Sequence, residues 1–281
     1  MNSKAVALVA VSIASVVGIA AFLIFQEGEA QVLSYDGPPK ALIIDQLYDE
    51  FPNEPFHKMA TEYFQTAGYT VDIVTTKDVK VDFFKNLPSK DYKFVVIRTH
   101  GADNEDGNEV VLFTGEKYTE EKYIQEQLFG QVKKAAPILE VDYALESNDE
   151  SNWVIVNDTY RYLSSPVKIS SHADNEFFAI SPKMIESMNG KFSDTIFLLG
   201  GCNTLSNPSM VKALVEKGAS MVVGWDNKVG HVDNDTAILF FLDQYLVKKS
   251  DITNTLGFIK ERLTPEKMPF PANFIYIQNL T

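Results

Sequence analysis

Four short apolar runs, each stopping at a small or polar residue, constrain this chain more than any other feature. They are 41–44 (ALII), 94–97 (FVVI), 196–199 (IFLL) and 220–223 (SMVV). Near-continuous runs of this length, without apolar–polar alternation, belong to strands buried on both faces, which means a parallel sheet covered by helices. The sequence between them agrees. Residues 55–67 place Phe56, Met59, Ala60, Tyr63 and Phe64 at helical spacing before Gly68. A further strand is expected at 71–74 and a short helix at 81–87, ahead of Pro88. Residues 208–217 predict a helix with Met210, Val211, Leu214 and Val215 inward, ended by Gly218. Two more helices follow at 236–247 and 252–263, then an edge strand at 274–277. The expectation is an α/β fold: three layers with a mostly parallel central sheet.

The strand–helix rhythm lapses between about residues 102 and 192. Residues 109–114 with Lys117-Tyr118 predict a hairpin or edge strand, and 119–132 a helix capped by Thr119. Strands are expected at 153–156 and 177–180, and Ser181-Pro182 opens another helix. This stretch reads as an insertion that walls a site within one domain, 41–281, not as a second domain.

Residues 5–25 carry no charge, with Lys4 before them and Glu27 and Glu29 after. As a helix, such a segment spans about 30 Å of hydrocarbon. It predicts a transmembrane anchor, or a signal segment cleaved near Gly28-Glu29-Ala30; its length favours the anchor. Residues 26–40, with Gly37-Pro38-Pro39, read as a stalk. The domain is then expected outside the cytoplasm, membrane-anchored or, after cleavage, secreted. Glycosylation triplets at Asn157, Asn234 and Asn279 agree with that side. A net charge of −13 repels polyanions, so nucleic acid is not an expected partner. One cysteine rules out an intramolecular disulfide.

Two of the apolar runs open onto chemistry. Residues 94–97 lead into Arg98-Thr99-His100-Gly101, and 196–199 into Gly200-Gly201-Cys202. A parallel sheet gathers the C-terminal ends of its strands along one edge, where ligands bind. An imidazole and a thiol on neighbouring strands meet there, as a thiol nucleophile and its base must. His100 would take the thiol proton and return it to a leaving amine. A nearby imidazole and a following helix N-terminus would both favour the thiolate. The N–H groups of Gly101 and Cys202 are candidate oxyanion donors, and Gly200 and Gly201 would let a substrate backbone pass close. Trp225 is a candidate pocket wall; Asp45 and Asp226, at the same sheet edge, are candidates for an acidic S1 pocket. His231 is an alternative base, whereas His57 and His172 receive no role. The acidic loop 103–109 offers oxygens of the kind Ca²⁺ takes, but lacks EF-hand spacing and reads as solvated. No zinc spacing and no phosphate cradle occur, so neither metal nor cofactor is expected. Each turn alone reads better as a capped strand end, a simple turn or a buried filler. Their order, with the only cysteine, is what points to a site.

Taken together, strand-His100-Gly101, an insertion, strand-Gly201-Cys202, a helix, and Gly218-Ala219-Ser220-Met221-Val222-Val223-Gly224-Trp225 resemble the caspase-fold (clan CD) cysteine peptidases. Clostripain-like, gingipain-like and CHAT-type members are nearer than true caspases, and the resemblance covers roughly residues 41–248. It implies a His100–Cys202 dyad, Gly101 N–H as oxyanion donor, a peptide or protein substrate, and hydrolysis through a Cys202 thioester without a cofactor. The chain departs from clostripain-like members at Gly200, where they often carry an acid facing a basic P1 side chain. The fold also serves as a non-catalytic module, so a silent binding domain is the alternative. A glutamine-amidotransferase-like arrangement fits less well, because its His follows the Cys and here only His231 does, too soon after it.

Overall fold

Successive side chains of a strand point to opposite faces, and in the central strands of this chain both faces are apolar. One set comprises Leu42, Ile44, Val95, Ile97, Phe197, Leu199 and Val222. The other comprises Ala41, Ile43, Phe94, Val96, Leu198, Met221 and Val223. The computed structural model describes residues 37–104, 107–137, 153–156, 160–163, 176–264, 268 and 270–278. The strands form a six-stranded sheet. In chain order they are β1 (Lys40–Asp45), β2 (Thr70–Thr75), β3 (Tyr92–Arg98), β10 (Thr195–Gly200), β11 (Ala219–Trp225) and β12 (Phe274–Gln278). Their spatial order is β12-β11-β10-β3-β1-β2. Every pairing is parallel except β11 with β12. The expected mixed α/β architecture with a mostly parallel sheet is therefore present.

Helices cover both faces. On one lie α2 (Val81–Lys85), α4 (Pro182–Ser187) and α5 (Ser209–Glu216), which bury Val81, Phe84, Met184, Ile185, Met210 and Leu214. On the other lie α1 (Glu54–Thr66), α6 (His231–Phe241) and α7 (Ile252–Arg262). These bury Phe56, Ala60, Phe64, Ile238, Phe240, Phe241 and Ile259. Asn53 starts α1 by accepting the Phe56 N–H at 3.1 Å, and Ser181 starts α4 by accepting that of Lys183 at 3.1 Å.

Two expectations fail for physical reasons. First, α6 begins at His231, ahead of the expected 236, and continues as a π-helical stretch, Leu242–Val247. Its first turn buries Asn234 and Asp235, so no polar-to-apolar switch marks its start. Second, 119–132 is not one helix. Only α3, Ile124–Leu128, is helical. The Gln127 side-chain amide takes the Thr119, Glu120 and Lys122 carbonyls, acceptors a helix would have used, the last at 2.6 Å. Val132 instead enters β6 (Val132–Ala135).

The strands β4 (Gly101–Asp103), β5 (Val110–Lys117), β6 and β9 (Phe177–Ile180) build a second, antiparallel sheet in the order β4-β5-β9-β6. A further antiparallel pair joins β7 (Trp153–Val156) and β8 (Tyr160–Leu163). The segment 5–25, the sequons at Asn157 and Asn279, and His172 lie outside the described residues. Among the described residues, no helix is long and apolar enough to cross a membrane.

Candidate active site

Strands β3 and β10 are neighbours, with Ile97 opposite Leu199 and Arg98 opposite Gly200. Beyond them, the Thr99 N–H donates to the Gly200 carbonyl at 2.8 Å. The two turns then press together. A Cβ on Gly101 would stand 2.3 Å from the Cys202 carbonyl oxygen, and one on Gly201 would stand 2.3 Å from that of Thr99. Only glycine permits this approach. The sheet thus brings His100-Gly101 and Gly201-Cys202 to one place.

The two reactive side chains are nevertheless engaged elsewhere. The His100 backbone N–H donates to Gln46 Oε1 at 3.1 Å, and its ring Nε2 bonds Glu50 Oε2 at 2.9 Å. A carboxylate can only accept, so Nε2 carries the proton and Nδ1 is the basic nitrogen. Phe51 meets this ring edge-on at 6.2 Å between centroids, and Phe113 lies at 5.7 Å. The Cys202 thiol donates to the Val229 carbonyl at 3.5 Å and accepts the Val229 N–H at 3.4 Å. Among the described residues, no hydrogen bond joins His100 to Cys202. Burial pushes the Cys202 thiol above its ordinary pKa, while the Val229 N–H and the Lys228 charge pull weakly downward. The thiol is therefore protonated at neutral pH. The expected helix dipole does not reach it, because α5 begins only at Ser209.

His231 is the first residue of α6. It stacks on Phe51, with centroids 4.4 Å apart and planes at 19°. Burial lowers its pKa and Asp235 opposes this; Arg98 lowers it, Glu50 raises it and His100 lowers it. The ring is thus a neutral neighbour of the site and feels both His100 and its acid.

Two residues expected to line a substrate pocket, Asp45 and Gly200, lie instead in a buried row with Arg98. Asp45, Arg98 and Gly200 end β1, β3 and β10 in register, on the face that α6 covers. Asp45 and Arg98 are each 0% exposed. Arg98 Nη1 donates to Asp45 Oδ1 at 2.9 Å, Nε to Asp235 Oδ1 at 2.7 Å, and Nη2 to Asp235 Oδ2 and the Phe51 carbonyl at 2.9 Å each. Burial opposes the Arg98 charge, but the carboxylates of Asp235 and Asp45 more than offset it and hold its pKa above the usual value. His57, given no role from sequence, bonds the other Asp45 oxygen through Nε2 at 2.7 Å. Asp45 is therefore no S1 acid, since this chain's own guanidinium and imidazole occupy it. Gly200 cannot border a substrate on this face either: Ile238 and Asn234 would lie 2.6 and 3.0 Å from any Cβ there. Trp225 is 1% exposed, packs on Phe274, and donates its indole N–H to Asn234 Oδ1 at 3.0 Å. Its ring is buried beneath a cleft beside Asp226, and Asn234, buried in this network, is no glycosylation acceptor.

Asp226 is partly exposed, and its carboxylate accepts the Asn273 backbone N–H at 2.7 Å and side-chain amide at 2.8 Å. With Trp225, Lys260, Leu263 and Phe274 it borders a cleft of about 250 Å³ whose lining includes neither His100 nor Cys202. In the acidic loop, Asp103 accepts from Ser206 and Asn207, and Glu109 pairs with Lys133 at 2.5 Å.

Sequence reading missed Glu50, Phe51, Asn53, Arg98 and Asp235. Arg98 carried a signal: a charge ending a buried strand needs a partner, and aligning the apolar runs sets it level with Asp45. Neither a protein-family model nor a curated protein matches the chain.

Proposed function

We propose that this chain is a caspase-like cysteine endopeptidase, held at or exported across a membrane by residues 5–25. The observation that carries the reading is the abutment of the His100-Gly101 and Gly201-Cys202 turns at the ends of two neighbouring central strands. The order of strands, with imidazole after one and thiol after the next, is what the caspase-like resemblance implies. Glu50 adds a group that fixes one imidazole tautomer, as a nucleophile–base–orienter set requires.

In the reaction, Cys202 passes its proton to His100 Nδ1 while sulfur bonds the scissile carbonyl carbon. The N–H groups of Gly101 and Cys202 receive the developing oxyanion. The C–N bond then breaks and the imidazolium gives its proton to the leaving amine. Water, deprotonated by His100, cleaves the thioester and restores the thiol. Sulfur must first leave Val229, so the arrangement described is a resting one. The cleavage needs no cofactor.

The test is covalent capture. The full chain in detergent is treated with acyloxymethyl-ketone peptides differing at P1, with and without Ca²⁺, and adducts are mapped by mass spectrometry. An adduct on Cys202, lost in His100→Ala and slowed in Glu50→Gln, is expected. The Val229 clasp and the raised thiol pKa favour one second reading, a silent binding module. A folded chain that takes no label under any condition would favour a silent or still-zymogenic domain.

A further inference from the structure

The first turn of α6 grips the segment that carries Glu50. Asp235 accepts Arg98 through both oxygens, and Arg98 in turn donates to the Phe51 carbonyl. The same Asp235 accepts the Asn53 side-chain amide at 2.9 Å. One helical turn earlier on the same face, His231 stacks on the Phe51 ring. Residues 51–53 are therefore held at a carbonyl, a ring and a side chain, all from α6 or through Arg98. Glu50, next in the chain, holds His100.

We propose that Arg98 and Asp235 are positioning residues for the reaction: through the Phe51 carbonyl and Asn53 they set where Glu50 stands, and through Glu50 the plane and tautomer of the His100 ring. Neither touches substrate. The pair is fully buried and neither member bonds His100 or Glu50, so the role proposed is geometric, carried by the Phe51 carbonyl and Asn53. A bidentate guanidinium between two carboxylates is stiff, and Lys could not replace it. A fork of this kind fixes the Phe51 carbonyl in direction as well as distance. A misplacement of about 1 Å at a catalytic group can lower turnover about 100-fold. This role rests on the peptidase reading for its effect on turnover, but not for its effect on the ring.

The experiment separates the two. The chain has four histidines, so the full chain, labelled with ¹³C-histidine in detergent, gives few ring signals. Single His→Gln variants assign them. Asp235→Asn keeps shape and removes one carboxylate charge. It is expected to move the His100 ring signal in the same direction as Glu50→Gln does. It should also lower kcat about 100-fold at nearly constant KM, and the double variant should fall no further than Glu50→Gln alone. If Asp235→Asn does not fold, Asn53→Ala cuts the same segment from Asp235 without touching Arg98, and a smaller shift of the same sign is expected. An unmoved His100 signal in a folded variant overturns the positioning role, as does a double variant whose losses multiply. A moved signal in a chain that never labels at Cys202 would keep the positioning role and sink the peptidase.

Discussion

The two faces of the central sheet end differently at the same level. On the α2/α5 side the strands are apolar to their last inward residues, Ile44, Ile97 and Leu199, which share one buried cluster with Leu205. On the α1/α6 side the next residues along are Asp45, Arg98 and Gly200, covered by Asn53, Asn234 and Asp235. Burying ions costs several kcal/mol each before their attraction is counted, so an apolar row of similar volume would hold the sheet together at least as well. Both faces are apolar in their middles and supply stability; the apolar strand ends on the α2/α5 side add to it. The polar row at the end of the other face accepts a penalty, and the groups it holds in place lead to Glu50 and His100. The difference teaches where to separate folding from function in this molecule.

The hardest blow to that contrast is Arg98→Met, which leaves two buried carboxylates without a cation. A loss of about 3–5 kcal/mol is expected, read from the urea midpoint at pH 7. Leu199→Ala, the matching cut on the apolar face, should cost about 2–5 kcal/mol. In the chain that remains folded, the rate of Cys202 labelling should stay within about twofold of wild type. Equal damage to labelling from both cuts would erase the distinction. Removing all three charges sharpens it: Asp45→Leu, Arg98→Met and Asp235→Leu together should cost less than Arg98→Met alone, because no ion is left buried and only the partners of His57, Asn53 and the Phe51 carbonyl are lost. Labelling of this triple variant should be lost.

The smallest effect belongs to Asp233, on the same turn of α6 but outside the row. Burial pushes its carboxyl up to about 6. The unfolded chain titrates near about 3.9, so the folded state binds the proton more tightly. The cost of ionising Asp233 is then absent below about pH 4 and complete above about pH 6. Discounted for partial exposure, Asp233→Asn should stabilise by roughly 1 kcal/mol at pH 8 and by nothing at pH 3.5. A gain of equal size at both pH values would mean that burial of the charge is not the cause.

The strands were legible because doubly buried strands have no alternation to obscure them, and 41–44, 94–97 and 196–199 fall inside β1, β3 and β10. The two turns were legible because each follows such a run directly. The start of α6 was not, because its first turn is polar yet buried, and periodicity records exposure only where polar means outside. Glu50 was illegible for another reason: it lies in a turn after β1, and it meets His100 only through tertiary packing, 50 residues away in sequence. Asp45 shows the opposite error. Its place at the sheet edge was read correctly and its use was not, since a strand-end acid serves a pocket or a neighbouring cation according to what stands beside it. Here Arg98 does.

The Val229 clasp on Cys202 has one further consequence. Peroxide attacks thiolates, and a sulfur kept protonated between a backbone carbonyl and N–H offers little of that form. The contact that postpones nucleophilic attack therefore also shields the sulfur from sulfenic acid formation. On the peptidase reading proposed above, the only thiol of the chain would become vulnerable only when loop 226–230 releases it.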